Sequence, residues 1–382
     1  MSSHSTTARQ TVCVIGAGAA GLAALKNFSE AGYDVMAYEA SEFVGGLWNF
    51  GYRSLHLITA KDLCSYDGFP IPDEFPMFPH RDQIVAYFNS YADHFGIREK
   101  ITFRTRVVAV EPVDVTGLAG WNVTTDAGET RRFDTVVISN GHLSTPIVPT
   151  FPGTFTGKLF HSHDYRAPDD FDGDRILVVG SGNSGCDIAV DAVQEHLTTA
   201  IVIRKGQVFQ PKTLAGRGRT QLPIGFLPPK LRERIMRFSI RLAYGTSRDY
   251  PGLPAPETEN VDKNPGVVNT QVLHWIHHGR LAVRPGISNI DGKLVTFEDG
   301  TVEEYDTIVA ATGYTTELPF LRKGLVRWEH GHPLRYAEGT TFPHLAGLHV
   351  IGLVGPTGAQ WPVYDRQSRA ILRLMRLQRN LN

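Results

Sequence analysis

Two glycine-rich segments have the residue types and the spacing that bind phosphate groups. Both follow the pattern G-x-G-x-x-G, and each lies between an apolar strand pattern and a helix pattern. Glycine permits the tight turn and lets a pyrophosphate approach the backbone N–H groups at the start of the helix. The sequence therefore predicts two dinucleotide-binding turns, one formed by Gly16, Gly18, Ala19, Ala20 and Gly21, and the other by Gly180, Gly182, Asn183, Ser184 and Gly185.

The residue that ends the next strand differs between the two segments. Glu39 follows the first turn, where its carboxylate can accept hydrogen bonds from the hydroxyls of an unphosphorylated ribose. Arg204 and Lys205 follow the second turn, and a guanidinium suits a ribose 2′-phosphate because it forms two charge-assisted hydrogen bonds. The first site thus favours FAD or NAD, and the second favours NADPH. The competing interpretation, two turns that only pack a helix on a sheet, does not account for the opposite charges.

A repeated order of elements positions these segments. A strand, a helix and a second strand are predicted at Val12–Ile15, Leu22–Glu30 and Val35–Tyr38, and again at Ile176–Val179, Asn183–Gln194 and Ala200–Ile203. Each copy is followed by a hairpin turn and a buried strand that ends in glycine, at Gly141 and Gly313. We predict an α/β fold with two Rossmann-like dinucleotide-binding domains, the second inserted into the first.

Proline, glycine and aspartate mark the expected domain crossings, at 146–152 and 168–173. The predicted domains are 1–155 as the first part of the FAD-binding domain, 156–300 as the NADPH-binding domain with an insertion at about 211–265, and 301–382 as the return of the FAD-binding domain.

Three amphipathic helices are predicted outside these repeats. In Lys230–Tyr244 the apolar residues Leu231, Ile235, Phe238 and Leu242 share one face, and four arginines lie on the other. We expect this apolar face to pack in the core; the alternatives are a membrane surface or guidance of an anionic cofactor. The helix containing Ile84 and Phe95 is expected in the core, and Asp365–Leu377 against the FAD domain.

Composition limits the class of protein. The chain has 38 basic and 39 acidic residues and a net charge of −1, so no long-range field would attract nucleic acid or an anionic surface. Its three cysteines form no C-x-x-C pair, which argues against a dithiol reductase and suits a reducing compartment. No secretory leader and no apolar run of about 18 residues is found, so we predict a cytoplasmic protein without a membrane span.

A third motif precedes the second glycine turn. Residues 155–165 read F-x-G-x-x-x-H-x-x-x-Y, which resembles the fingerprint of the flavin-containing monooxygenases, class B flavoprotein monooxygenases of the soluble microbial type. Similar matches spread over the chain, at Gly45–Trp48, Asp67–Pro70 and Ala311–Tyr314. The resemblance implies FAD and NADPH as cofactors, and dioxygen and a small molecule as the reaction partners.

The resemblance also implies roles for single residues. His161, the fingerprint histidine, would couple the bound nicotinamide nucleotide to the flavin. The alternatives for it and His163 are a surface turn or a metal site. In many members an Asn that helps to hold the oxygenated flavin follows the G-G-x-W motif, but here 57–60 lack it, and Thr59 is the candidate that remains. The other cofactor-binding candidates are Gly46, Leu47, Trp48, Val107, Tyr165, Thr312, Gly313 and Gln360.

The implied reaction passes hydride from NADPH to FAD, and reduced flavin then forms a C4a-hydroperoxide with dioxygen. That species would oxygenate a soft nucleophile at nitrogen or sulfur. Two alternatives stay open: oxygenation of a carbonyl substrate of the Baeyer–Villiger or decarboxylating kind, and a partly uncoupled NADPH oxidase. A homodimer is an option that the sequence does not decide.

Overall fold

The computed structural model of this 382-residue chain describes residues 9–259, 266–353 and 358–381. Its helices are α1 Ala19–Glu30, α2 Lys61–Cys64, α3 Arg81–His94, α4 Asn183–Gln194, α5 Pro229–Tyr244, α6 Gln271–His277 and α7 Trp361–Leu381. Among the described residues, no helix is both long and apolar enough to span a membrane.

The strands are given in chain order. They are β1 Thr11–Ile15, β2 Asp34–Tyr38, β3 Ile101–Thr102, β4 Val107–Pro112, β5 Trp121–Thr125, β6 Thr130–Phe133, β7 Thr135–Ile138, β8 Thr145–Pro146, β9 Gly153–Phe155, β10 Lys158–His161, β11 Arg175–Val179 and β12 Thr198–Val202. After these come β13 Thr213–Leu214, β14 Arg217–Gly218, β15 Leu281–Arg284, β16 Ile287–Gly292, β17 Leu294–Phe297, β18 Val302–Glu304, β19 Thr307–Ala310, β20 Tyr314–Thr315, β21 Trp328–Glu329, β22 His332–Pro333 and β23 Leu348–Val350.

The chain forms two compact units. The first unit comprises 1–50, 61–145 and 315–382, and the second comprises 51–60 and 146–314, within the described ranges. Each unit has its own parallel sheet and its own buried apolar clusters.

A five-stranded sheet in the order β23-β7-β1-β2-β3 forms the centre of the first unit. Strand β1 is apolar on both faces because both are covered. Cys13 and Ile15 pack against the antiparallel meander β4-β5-β6, where the indole of Trp121 is fully buried. Helix α1 packs against β1, β2 and α7, which places helices on the other face.

The second unit repeats this architecture. Its parallel sheet has the order β10-β19-β11-β12-β15, with the strand that precedes the glycine turn again in the middle. Leu177 and Val179 pack on the meander β16-β17-β18, and Ile176 and Val178 pack on the side of α4 and α6. The predicted α/β fold and its internal duplication are confirmed.

The unit boundaries differ from the predicted ones at four places. Residues 146–155, predicted in the first part of the FAD-binding domain, belong to the second unit. The second unit reaches residue 314 rather than 300, because β19 is paired between β10 and β11. The expected crossing at 168–173 is wrong, since the chain already lies in this sheet at β10. Residues 51–60 belong to the second unit although both flanking segments belong to the first.

Helix α5 contradicts the expected packing of its apolar stripe. Leu231, Ile235, Phe238 and Leu242 are 45%, 37%, 68% and 79% exposed. The opposite face of the helix, with Met236, Ile240 and Tyr244, lines a cavity of about 1020 Å³ inside the second unit. The helix has apolar residues on two faces, and the periodicity of one stripe did not show which face turns inward.

The other two helix predictions are confirmed. Helix α3 buries Ile84, Tyr87, Phe88 and Tyr91. Helix α7 packs on α1, where the Asn27 amide nitrogen donates to the Asp365 carboxylate (2.9 Å) and to the Ser368 hydroxyl (2.6 Å). Trp361, at the start of α7, is buried and stacks on Tyr66 and Tyr87.

Candidate functional site

The first glycine turn connects β1 to α1 and leaves no room for a side chain at Gly16 or Gly21. Gly16 has φ +97°, a conformation that favours glycine. A Cβ on Gly21 would overlap the carbonyl oxygen of Gly16. The chain therefore passes from strand to helix within one tight turn, as the spacing predicts.

The N-terminus of α1 fits a pyrophosphate. Gly18 is the N-cap, no side chain caps the turn, and no acidic residue lies in the first turn. The amides that follow it, at Ala19 and Ala20, thus form an N-terminus whose dipole and N–H groups attract an anion.

Glu39 is fixed beside this turn. Its side chain is 9% exposed, one carboxylate oxygen accepts from the Ala17 amide (2.7 Å), and the other accepts from the Ser41 amide (2.8 Å). Each oxygen keeps a second lone pair, so the carboxylate can still accept from ribose hydroxyls. The group that fits this arrangement is an adenosine ribose without a 2′-phosphate.

A short 3₁₀ turn, Gly46–Asn49, lies against the same glycine turn. The Gly45 amide donates to the Ala17 carbonyl (2.9 Å), and a Cβ on Gly46 would lie 3.1 Å from the Gly18 Cα. This close approach and a φ of +56° favour glycine at position 46, whereas a Cβ on Gly18 would lie 3.7 Å from the Gly46 Cα, an ordinary contact distance.

The remaining candidates of the first unit lie in different surroundings. Leu47 is 39% exposed, and the Trp48 ring contacts the Trp361 ring edge to face at 6.3 Å. Gln360 accepts a hydrogen bond from the Tyr364 hydroxyl (2.8 Å). Val107 starts β4 and is buried in the apolar core, so only its backbone is placed to contact a ligand.

The second glycine turn has the same construction. Gly180 has φ +114°, and a Cβ on Gly185 would overlap the Gly180 carbonyl oxygen. Gly182 is the N-cap of α4, no side chain caps the turn, and a Cβ added to Gly182 would meet nothing within 4 Å. Asn183 holds the neighbouring loop, since its side-chain oxygen accepts from the Val268 amide (2.9 Å).

Arg204 and Lys205 are both exposed after β12. Lys205 lies 3.9 Å from Glu257, and both side chains are 81% exposed, so this ion pair contributes little. Exposed cations of this kind fit the 2′-phosphate of NADPH.

His161 is buried rather than part of a surface turn, which corrects one of the alternatives above. Its Nδ1 accepts from the His163 amide (3.0 Å), so Nε2 carries the proton and donates to the Gly313 carbonyl (3.1 Å). Burial lowers the pKa of His161 and keeps the ring neutral. The ring also packs edge to face on Tyr314 at 5.2 Å.

This contact joins two sequence motifs. Gly313 has φ +87°, and its carbonyl also accepts from the Ile147 amide (3.0 Å). The Thr312 hydroxyl donates to the Ile147 carbonyl (2.5 Å). The fingerprint histidine therefore fixes the loop that follows β19, although 152 residues separate the two partners.

Two carboxylates on α4 were missed by the sequence analysis. Asp187 accepts from the Tyr52 hydroxyl (2.8 Å) and from the Asn269 amide (2.6 Å). Asp191 accepts from the hydroxyls of Ser54 (2.6 Å) and Tyr165 (3.0 Å). The available signal was a pair of acidic residues at i and i+4 on the apolar face of a helix.

Burial of these groups raises the pKa of Asp187 and of Asp191. Tyr165 is fully buried and holds α4 by its hydroxyl, and Thr59 lies in the same segment as Tyr52 and Ser54. Within residues 9–259, 266–353 and 358–381, no group of His, Cys, Asp or Glu side chains could hold a metal ion.

Two parallel-sheet units, each with a glycine turn that leads into a helix, define this chain as a protein with two dinucleotide-binding domains. A match to the family described as flavin-binding monooxygenase-like extends over residues 9–381. The chain therefore belongs to the flavin-binding monooxygenase-like family. Membership makes it an oxidoreductase of the monooxygenase type that uses a flavin.

Curated relatives agree with this assignment. Flavin-containing monooxygenase 2 of Homo sapiens is 32% identical over 402 residues, which cover 96% of this chain and 73% of the human protein. The N-oxide-forming dimethylaniline monooxygenase 2 of Oryctolagus cuniculus is 32% identical over 406 residues, with the same coverage of 96% and 73%.

Solved structures share the fold. A flavin-containing monooxygenase from Stenotrophomonas maltophilia superposes with a TM-score of 0.73 at 21% identity, covering 97% of this chain and 99% of the other. The cyclohexanone monooxygenase of Rhodococcus sp. Phi1 bound to NADP⁺ superposes with a TM-score of 0.73 at 19% identity, covering 98% and 86%.

Proposed function

We propose that this protein is an NADPH- and FAD-dependent monooxygenase that oxygenates a small soft nucleophile at nitrogen or sulfur. The observation that carries the proposal is the opposite charge beside two glycine turns of the same geometry: buried Glu39 in one unit and exposed Arg204 and Lys205 in the other. The name of the Oryctolagus cuniculus relative, an N-oxide-forming dimethylaniline monooxygenase, supports oxygenation at nitrogen.

The first unit would hold FAD. The amides at the start of α1 would bind its pyrophosphate, and Glu39 would accept from its ribose hydroxyls. Gly46, Leu47, Trp48 and Gln360 would lie along the same cofactor. When bound, the flavin supplies the activation of dioxygen and the transfer of one oxygen atom to the substrate.

The second unit would hold NADPH. The amides at the start of α4 would bind its pyrophosphate, and Arg204 and Lys205 would bind its 2′-phosphate. His161 would act as a positioning residue, because its ring is neutral and holds the Gly313 carbonyl while Thr312 holds Ile147. The structure supports no proton transfer by His161, since both of its ring nitrogens have backbone partners.

Oxygenation of a carbonyl substrate is the second candidate. The cyclohexanone monooxygenases that share this fold point to a ketone substrate. The missing Asn in 57–60 favours the other alternative, a partly uncoupled NADPH oxidase. The two candidates require different substrates and give different products, so product analysis separates them.

The test begins with the holoprotein reduced anaerobically by one equivalent of NADPH and mixed with oxygenated buffer in a stopped-flow instrument. A transient near-ultraviolet band before oxidised flavin returns supports a monooxygenase. Direct return of oxidised flavin with stoichiometric peroxide supports the NADPH oxidase alternative. Failure of NADPH to reduce the flavin overturns the proposal.

The substrate class is then tested with a sulfide, a tertiary amine, a ketone and a 2-oxo acid at equal concentration. A sulfoxide or N-oxide formed in step with NADPH consumption supports the proposal. A lactone, an ester or a decarboxylated product as the main product assigns the second candidate.

A further inference from the structure

Residues 45–60 form one continuous segment, here called the strap, that is attached to both glycine-turn elements. Its beginning is bound inside the first unit, where the Gly45 amide donates to the Ala17 carbonyl (2.9 Å) in the first glycine turn. Its end, residues 51–60, is bound inside the second unit. The covalent chain therefore runs directly from one nucleotide-binding element to the other.

Helix α4 holds the second end of the strap by two side chains on one helix face. The Tyr52 hydroxyl donates to Asp187 (2.8 Å) and the Ser54 hydroxyl donates to Asp191 (2.6 Å). These carboxylates lie one turn apart, and Asp187 is only two residues after the end of the glycine turn at Gly185. A shift of the strap therefore acts on the same helix whose N-terminus would bind a nucleotide phosphate in the proposed function.

The attachment is specific and buried. Tyr52 is 7% and Asp187 8% exposed, and Asn269 completes the hydrogen bonds of Asp187. On the strap itself, His56 accepts a hydrogen bond from Lys212. Both groups also interact electrostatically with Asp187. Removing one partner from such a network leaves a buried polar group unsatisfied, so the strap does not slide freely along α4.

We propose that Asp187 and Asp191, through Tyr52 and Ser54, are positioning residues that couple NADP⁺ binding at the second glycine turn to FAD binding at the first. This inference rests on the proposed two-cofactor function. A phosphate bound at the start of α4 orders the turn and the first turns of the helix. That order extends through the two carboxylates to the strap, and along the strap to Gly45 and Ala17.

Coupling between the two cofactor sites must be reciprocal for thermodynamic reasons. If NADP⁺ tightens FAD binding by some factor, FAD tightens NADP⁺ binding by the same factor. Coupling of this kind is typically fivefold or more. Because the factor is a ratio of two affinities, a variant that only weakens the fold or one site does not change it.

The experiment measures FAD release from diluted holoprotein by the rise of free-flavin fluorescence, with and without saturating NADP⁺. In the wild type we expect NADP⁺ to lower the Kd of FAD by about fivefold or more. In the Tyr52→Phe/Ser54→Ala variant we expect this ratio to fall toward one. The conservative variant Ser54→Thr keeps a hydroxyl donor and is expected to retain the ratio.

Tyr305→Phe is the matched control. It removes another tyrosine-to-carboxylate hydrogen bond of the second unit, from the buried Tyr305 to the partly buried Glu303 (2.5 Å), outside the strap. It is expected to keep the wild-type ratio. The single variant Ser54→Ala, which changes a partly exposed side chain, serves if the double variant does not fold.

A second readout follows the strap itself. Hydrogen exchange of peptides within 51–60 is expected to slow when NADP⁺ is added to the wild type, and to respond less in Ser54→Ala. If NADP⁺ does not change the Kd of FAD in the wild type, the coupling is overturned. It is also overturned if Tyr52→Phe/Ser54→Ala and Ser54→Ala both keep the full wild-type effect of NADP⁺ on the Kd of FAD. If the wild type fails to bind FAD or NADP⁺, the proposed function is overturned, and the coupling with it.

Discussion

The two glycine turns of this chain have the same backbone geometry, but the residues after the next strand carry opposite charges. In both, a glycine of positive φ and a later glycine without room for a Cβ carry the chain from strand to helix. The difference lies one strand further on, where Glu39 is buried with two backbone donors and Arg204 is exposed. Steric demands thus fix the same turn in both units, and in the proposed function one side chain would set which dinucleotide each turn binds.

The comparison also orders the expected effects of substitution. A backbone overlap in a turn costs more than the loss of a buried carboxylate, and an exposed cation contributes less than either.

The largest effect is expected from Gly21→Ala. Its Cβ would overlap the Gly16 carbonyl oxygen, so we expect a loss of about 3 kcal/mol or more of stability and no bound flavin. Thermal unfolding and the flavin absorbance of the purified protein measure both. The control is Gly182→Ala in the other turn, where φ is −70° and a Cβ meets nothing within 4 Å. A Gly21→Ala protein as stable as Gly182→Ala would contradict the shared steric requirement.

Glu39→Ala comes next. It removes the carboxylate that accepts from the Ala17 and Ser41 amides and that would accept from the ribose of the proposed FAD. Hydrogen bonds to a charged group contribute about 1.5 to 3 kcal/mol each. We expect FAD affinity to fall by about tenfold or more. Equilibrium dialysis of the apoprotein with FAD measures it, with the exposed Glu42→Ala as the control. Unchanged affinity would show that the carboxylate only braces the turn.

A buried histidine distinguishes two equivalent strands of the two parallel sheets. His349 in β23 pairs with Val137, at the place where Phe160 in β10 pairs with Val309. Burial lowers the pKa of His349 from 6.5 to about 4. The unfolded chain takes up a proton below about pH 6.5 and the folded chain does not, so stability is full above that pH and falls as pH drops toward 4.

The expected loss over that window is about 2 kcal/mol. Urea denaturation at pH 7 and pH 4.5 measures it, and His349→Leu is expected to reduce the difference. The exposed His274→Leu should not. Equal pH dependence in all three proteins would refute the assignment to His349.

The smallest effect is expected at the second site. Arg204→Ala removes a cation that is exposed in the free protein, so we expect about a tenfold loss of the preference for NADPH over NADH. Rates of anaerobic flavin reduction with each nucleotide give the ratio. Lys205→Ala should cost less, because Glu257 lies 3.9 Å from that ammonium. A larger loss for Lys205 would reverse the two roles.

Local sterics made the turns predictable. The need for glycine at 21 and 185 comes from the carbonyl oxygens of Gly16 and Gly180, five residues earlier, and at 16 and 180 a positive φ favours glycine. Ser139 and Ala311, distant in sequence, approach Gly16 and Gly180 as well. The alternating strands and helices come from apolar periodicity. The hairpin turn and the buried strand that follow each copy were predicted from turn residues and apolar runs in the same local way. These features are encoded within short stretches of chain.

Long-range contacts were not predictable in this way. The bonds of Tyr52 and Ser54 to α4 join residues 135 and 137 positions apart, and no local pattern indicates them. The inward face of α5 was missed for a related reason: Met236 and Ile240 are apolar at helical spacing too, and only tertiary contacts decide between the faces. The burial of His161 depends likewise on the loop at Gly313.

The interleaved order of the two units has a consequence for synthesis on the ribosome. Every strand of the second parallel sheet has been made by residue 310, whereas the first sheet lacks its strand β23 until residue 350 and its helix α7 until later. The unit that begins earlier in the chain is thus completed later. A nascent chain therefore passes through a stage in which the second unit has every strand of its parallel sheet. At that stage the first unit still exposes the edge of β7.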